Sequence, residues 1–225
     1  MAPQNKWGVV SNRDINNPPC GGDFIEEARQ RRLISVYASG DTYRYDVLQR
    51  TRLGRPPHAG FLSGLRRIGQ SVYACGGQNT VYRLDAGGWV DLAGPLRQPY
   101  SGPSDPTLNA IDGFATNDLY AVGHAGAVFH FDGAAWRSPE TPTHAAQHQV
   151  VCHDDGLVYA CGAGTVLRGG TQGWQPLNTA EHTEDFWGMA TLDGTIYLCT
   201  YRTLYRVVDG TLKEVPVSAN GSGSF

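Results

Sequence analysis

Short runs in which nearly every position is apolar alternate with Gly-, Asp- and Ser-containing turns along most of the chain, and the runs repeat. Tyr73-Ala74-Cys75-Gly76, Tyr120-Ala121-Val122-Gly123, Tyr159-Ala160-Cys161-Gly162 and Tyr197-Leu198-Cys199-Thr200 are four versions of one strand, and Tyr37-Ala38-Ser39-Gly40 reads as a fifth. After each comes a turn and a second apolar strand: Val81-Tyr82-Arg83-Leu84, Val128-Phe129-His130-Phe131, Val166-Leu167-Arg168 and Leu204-Tyr205-Arg206-Val207, with Tyr43-Arg44-Tyr45 in the earliest copy. These runs are too short for helices and are rich in β-branched and aromatic residues, which marks them as strands.

Tight turns follow at Asp85-Ala86-Gly87-Gly88, Asp132-Gly133, Gly169-Gly170 and Asp209-Gly210. Such residues supply the backbone geometry of a two-residue hairpin. Trp89, Trp136 and Trp174, with Leu212 in the equivalent place, each open a short outer strand. A further strand precedes each tyrosine, as in 64–68, 110–114, 149–152 and 187–190. Four strands in a unit that recurs about every 40 residues is the blade of a β-propeller.

The expected fold is therefore all-β, a propeller of four-stranded antiparallel blades in one domain over residues 1–225. Clear blades are expected at about 58–97, 106–141, 146–179 and 184–217, with a degenerate blade at about 6–55. The strands expected in that first blade are Trp7–Val10, Leu33–Tyr37, Thr42–Tyr45 and Val47–Arg50, with an insertion at Pro18–Arg32 that carries a short helix over Glu26–Arg32. Five blades are favoured because a closed ring removes exposed sheet edges.

Over residues 58–217 the pattern resembles the bacterial short-repeat propellers, whose blades read Leu-Tyr-Ala-Val-Gly, a turn, a Val-containing strand, Asp-Gly and Trp. It is also distantly similar to Asp-box repeats, because Asp85-Ala86-Gly87-Gly88-Trp89 places an acid, a glycine and an aromatic on one hairpin. The resemblance implies a fold and no particular chemistry, since such propellers occur as enzymes, lectins and adaptors. Gly169-Gly170 lacks the acid and Leu212 replaces the Trp, so sialidase-type chemistry does not follow.

Charge narrows the function classes. With 18 basic against 21 acidic residues the surface has no dominant positive field, which argues against nucleic acid or an anionic membrane as partner. The run Arg29-Gln30-Arg31-Arg32 and the pair Arg66-Arg67 read as solvated faces rather than phosphate sites. No long apolar run and no charged-then-apolar start are present, so a cytoplasmic location is expected. Cys75, Cys161 and Cys199 occupy one repeat position, filled elsewhere by Val122 and Ser39, and read as buried packing residues rather than disulfide partners.

Candidate chemistry is sparse. His144, His148 and His153 with Asp154 and Asp155 are the densest polar group, but their spacing fits no compact ligand set, so no metal and no cofactor is expected. No Gly-x-Ser-x-Gly elbow and no phosphate loop occur, and no catalytic residue is assigned.

The connections between blades carry the signal that remains. A propeller gathers them on one face, opposite the Asp-Gly hairpins, and here they differ from blade to blade although the strands repeat. Aromatic and arginine side chains dominate interface energetics, which selects Arg97, Tyr100, Trp187, Tyr201 and Arg202, with His124 in the turn after Gly123. The reading is a non-catalytic propeller that binds a protein. A glycan or small-ligand binder is the alternative, distinguished by a site repeated in every blade, and a degenerate hydrolase or lyase is the third. A compact propeller with divergent loops also resembles bacterial immunity proteins, which hold a co-encoded toxin inactive. That resemblance implies a toxin as the partner.

Overall fold

A computed structural model of the chain describes residues 19–27, 30–46, 49–57, 60–98, 106–177 and 184–216. Among them are five four-stranded antiparallel sheets, each built from consecutive strands. The first comprises β1 (Pro19–Glu27), β2 (Gln30–Tyr37), β3 (Thr42–Tyr45) and β4 (Arg50–Gly54). The second comprises β5 (Leu62–Ile68), β6 (Ser71–Gly76), β7 (Thr80–Asp85) and β8 (Gly88–Asp91). β9 (Leu108–Ala115), β10 (Asp118–Gly123), β11 (Val128–Phe131) and β12 (Trp136–Arg137) form the third. The fourth is β13 (Gln147–Cys152), β14 (Val158–Gly162), β15 (Thr165–Gly170) and β16 (Gly173–Pro176), and the fifth is β17 (Gly188–Leu192), β18 (Thr195–Cys199), β19 (Leu204–Val208) and β20 (Thr211–Glu214). The first strand of every sheet lines one axial cavity, so the protein is a five-bladed β-propeller.

The apolar runs are second strands because these are covered on both sides. In β6, β10 and β14 nearly every residue is buried, alternate side chains reaching the blade before and the blade after. Tyr73 and Cys75 pack toward blade 3 against Leu108, Ile111 and Ala121, while Ala74 packs toward blade 1 against Val36. Tyr120 and Val122 meet Val150, Ala160 and Trp174 of blade 4, and Tyr159 and Cys161 meet Phe186, Met189 and Leu198 of blade 5. Trp136 also donates its indole N–H to the Leu92 carbonyl, 2.8 Å away, tying blade 3 to blade 2. The described residues place no such apolar cluster between blade 5 and blade 1.

The hairpins behave as their residues dictate. The Asp132 carboxylate accepts the Ala134 and Ala135 N–H groups at 3.0 and 2.8 Å and the Arg137 guanidinium at 3.1 Å, bonds that hold its pKa down to about 2.

Blade 1 departs from expectation. The Glu26–Arg32 helix is absent: Glu26–Glu27 end β1, Gln30–Arg32 begin β2, and the two strands pair from Pro19 to Gln30. The first strand of this blade is thus Pro19–Glu27, and Trp7–Val10 lies outside the described residues. The fourth strand runs Arg50–Gly54, a few residues later than expected. Tyr37 is also out of phase with the repeat. Its neighbour Val36 packs on blade 2, so Tyr37 points the other way, bonded to the Tyr45 hydroxyl at 2.7 Å and set edge-on to Tyr43.

The cysteines are free, and Cys75 and Cys161 are buried as expected, their thiols pushed up to about 12 by burial. Cys199 is only half-buried, because it faces away from blade 4 toward the side where no apolar cluster lies. Cys161→Val should therefore change stability by less than about 1.5 kcal/mol, since Val122 fills the equivalent site. In native protein a thiol reagent should modify Cys199 well before Cys75 or Cys161, as mass spectrometry of timed digests would record. Equal rates at all three would contradict this packing.

Candidate functional face at the channel mouth

Because strands alternate direction, the connections between blades and the turns between second and third strands share one face. Backbone bonds tie them together there. The N–H groups of Gly77, His124 and Ala163, each just past a second strand, donate to the carbonyls of Phe61, Thr107 and Ala146, each just before a first strand, at 2.9 to 3.0 Å. Trp187 N–H donates to the Cys199 carbonyl at 2.9 Å in the fifth blade.

A shared irregularity shapes the mouth of the axial cavity. Pairing of the first two strands slips at Pro19/Gly21, Leu62/Gly64, Leu108/Ala110 and Gln147/Gln149, leaving Cys20, Ser63, Asn109 and His148 as bulge residues. A bulge re-aims the side chain it carries. All four line the cavity, as does Trp187, which precedes β17 in the corresponding place. Three of them reach across to the next blade. The Ser63 hydroxyl donates to the Leu108 carbonyl, the Asn109 amide donates to the Gln147 carbonyl at 2.8 Å, and the His148 ring stacks on Trp187 with centroids 4.5 Å apart and planes 11° apart. The result is a collar of side chains around a cavity of about 440 Å³.

The indole of Trp187 remains 56% exposed despite that stacking. Burial holds the His148 pKa below its ordinary value, the nearby His124 lowers it further, and Asp185 opposes both. His148 is thus the neutral partner of the stack near pH 7. A histidine with a depressed native pKa favours folding above its unfolded value, about 6.5, and that contribution is lost as pH falls below it. Thermal melts between pH 7 and pH 5 should therefore show a falling midpoint in the wild type and a shallower fall in His148→Gln. Parallel slopes would remove His148 from the account.

The expected site residues fall at distinct places on this face. His124 opens a 3₁₀ turn at His124–Gly126, is exposed, and joins His148 and Trp187 at the mouth. Tyr201 and Arg202 crown the turn between β18 and β19, where the Thr200 hydroxyl accepts the N–H groups of Arg202 and Thr203 at 3.3 and 3.1 Å. That fixed turn leaves Tyr201 88% exposed. Arg97, on blade 2, follows a 3₁₀ turn at Gly94–Leu96 and is half-buried, its guanidinium bonded to the Asp91 carboxylate and, at 3.4 Å, to the Tyr82 hydroxyl. Tyr100 lies outside the described residues.

Two members of the face escaped the sequence reading. The spacing groups His148 with His144 and His153, and the structure keeps only part of that group: His144 stays on this face in the connection to β13, against Gly126 of the His124–Gly126 turn, whereas His153 is at the opposite end of that strand, bonded to the Gly194 carbonyl. Phe61, exposed just before β5, was the other. Its signal was available, since it stands immediately before a first strand as Trp187 does.

No described protein-family profile matches the chain. It is 37% identical over 213 residues to the immune protein Tsi7 of Pseudomonas aeruginosa, an alignment that covers 93% of this chain and 67% of that protein. Among solved structures, virginiamycin B lyase from Staphylococcus aureus superposes with a TM-score of 0.73 at 11% identity, covering 93% of this chain and 73% of the lyase. The WD40 propeller domain of Doa1 superposes with a TM-score of 0.69 at 13% identity, covering 88% of this chain and 68% of that one. At such identities these structures speak for the propeller fold alone.

Proposed function

We propose a function that proceeds from one premise: the chain belongs to the family of the immune protein Tsi7. It acts by binding a protein toxin encoded beside it and holding that toxin inactive, without catalysing a reaction, in the cytoplasm of the cell that makes both. No helix among the described residues is long and apolar enough to cross a membrane.

The observation that carries the reading is the face at the channel mouth. Trp187 and Tyr201 present large, exposed aromatic surfaces on blade 5, Arg202 is next to Tyr201 in the chain, and Phe61 of blade 2 and His124 of blade 3 are exposed on the same face. Interfaces concentrate binding energy in such aromatic and arginine side chains. The likeness to a lyase is one of fold and supplies no catalytic group here.

A small-ligand reading draws on one feature, the axial cavity of about 440 Å³ with its polar collar. Co-expression with the product of the adjacent gene decides between them. A stable complex on size-exclusion chromatography, with the toxin's activity suppressed, supports the immunity reading. A toxin that stays active and elutes alone refutes it.

A further inference from the structure

The arginines read from the sequence as two separate solvated faces converge in the fold. Arg31 on β2 and Arg66 and Arg67 on β5 line one pocket of about 460 Å³ with Asp23, Phe24 and Gly69, on the hairpin side of blades 1 and 2 and away from the mouth. Three cations meet two carboxylates here, Asp23 within the space and Asp112 paired to Arg66, which leaves an excess of one positive charge. Asp23 accepts the Phe24 N–H at 2.7 Å through one oxygen and the Arg67 backbone N–H at 2.8 Å through the other. The guanidinium groups themselves are only lightly committed. Arg66 donates its Nε to Asp112 at 3.1 Å, Arg67 its Nε to the Gly69 carbonyl at 3.0 Å, and Arg31 lies over the Phe24 ring, 4.8 Å from its centroid.

A guanidinium carries five N–H donors in a planar fork and cannot shed its charge. Among the side chains that the structure describes, Arg31 and Arg67 have no acidic partner and the terminal nitrogens of Arg66 and Arg67 make no hydrogen bond. Like charges held together repel, and water relieves that repulsion less well than an anion does. The pairs that Nε contacts and ring stacking leave open are those that grip an oxyanion in two places at once.

We infer that this pocket is an anion-binding site for a compact oxyanion, either a phosphate group or a carboxylate. Arg67 grips the anion from β5 and Arg31 closes over it from β2, backed by Phe24, while Arg66, the neighbour of Arg67 on the strand, borders the pocket with its Nε held by Asp112. The site lies on the face opposite the proposed toxin-binding rim, so it stands or falls independently of that reading.

The test uses the full chain labelled with ¹⁵N in arginine. Inorganic phosphate and, separately, acetate are titrated at constant ionic strength against sodium chloride while the arginine Nε–H resonances are followed. Saturable shifts confined to Arg31, Arg66 and Arg67 are expected. Arg31→Gln and Arg67→Gln should each weaken the interaction about tenfold, the loss of one charge-assisted hydrogen bond, whereas Arg206→Gln on blade 5 should leave it unchanged. Saturation by phosphate alone assigns the site to phosphate-bearing ligands, and saturation by both admits the carboxylate of a protein chain. Circular dichroism and melting of each variant confirm the fold, and Arg31, itself exposed, serves if Arg67→Gln destabilises the inner strand. Shifts that do not saturate, or equal affinity in wild type and both pocket variants, would overturn the inference.

Discussion

Replacing Gly162 by Ala is expected to lower stability by about 3 kcal/mol or more, at the upper end of the usual cost of overpacking. A β-carbon at Gly162 would lie 1.9 Å from the Ala146 carbonyl oxygen, and the equivalent glycines repeat the arrangement: Gly123 against Thr107 at 1.9 Å and Gly76 against Phe61 at 2.2 Å. In each case the obstacle is backbone, which cannot swing aside as a side chain can. That backbone is also fixed, because Ala163 N–H bonds to Ala146 and Phe186 N–H bonds to the Gly162 carbonyl. Relieving the clash means breaking the join where one blade hands the chain to the next. Calorimetry should record a midpoint roughly 10 °C lower in a protein of this size. An unchanged midpoint would mean that the inner strand yields freely. Thr200 stands at this position in the last repeat, and there the entering chain bonds instead through Trp187 N–H to Cys199.

Removing both rings in Trp187→Ala/Tyr201→Ala should weaken toxin binding by at least about 4 kcal/mol, roughly a thousandfold, if each acts at the usual hot-spot level of about 2 kcal/mol. Both side chains are exposed, so the melting temperature should change little. Trp187→Ala also frees the face of His148, and its separate effect should exceed that of Tyr201→Ala. Titration calorimetry of the double variant with the partner measures the loss. A double variant that binds as tightly as wild type, while fully folded, would move the interface away from the channel mouth.

Much of this architecture is written in the chain because four blades carry the same compromise between burial and turning. The run from Tyr to Gly is legible since both faces of the second strand are covered, and the Gly marks a place where no side chain fits. Blade 1 hides its pattern. Glu26 to Arg32 is rich in good helix formers, yet β1 must pair with β2 and pack beside β5, and that tertiary context overrides local preference. Tyr37 departs for a related reason: it pairs with Pro19 where Gly76 pairs with Leu62, three positions on from Tyr73, and an odd shift sends a strand residue to the other face. Of the collar only Trp187 was legible. Cys20, Ser63, Asn109, His148 and Trp187 share a structural position without sharing any chemistry, and a bulge is a property of backbone pairing rather than of residue type. For the same reason the meeting of Arg31 with Arg66 and Arg67 is invisible until β1 and β2 are placed beside β5.

Among the described residues every sheet is made from four consecutive strands, and this bears on how the molecule assembles. Contacts between neighbours in sequence form quickly because little chain entropy is lost in closing the loop between them, and proteins dominated by such contacts fold faster than most β-sheet proteins. Each blade here is a local meander that is able to zip as soon as its own residues leave the ribosome, and each then offers a template for the next. The encounter of blade 5 with blade 1 is the one step that spans nearly the whole chain. Slow, entropy-limited search is thereby confined to a single event, the closing of the ring.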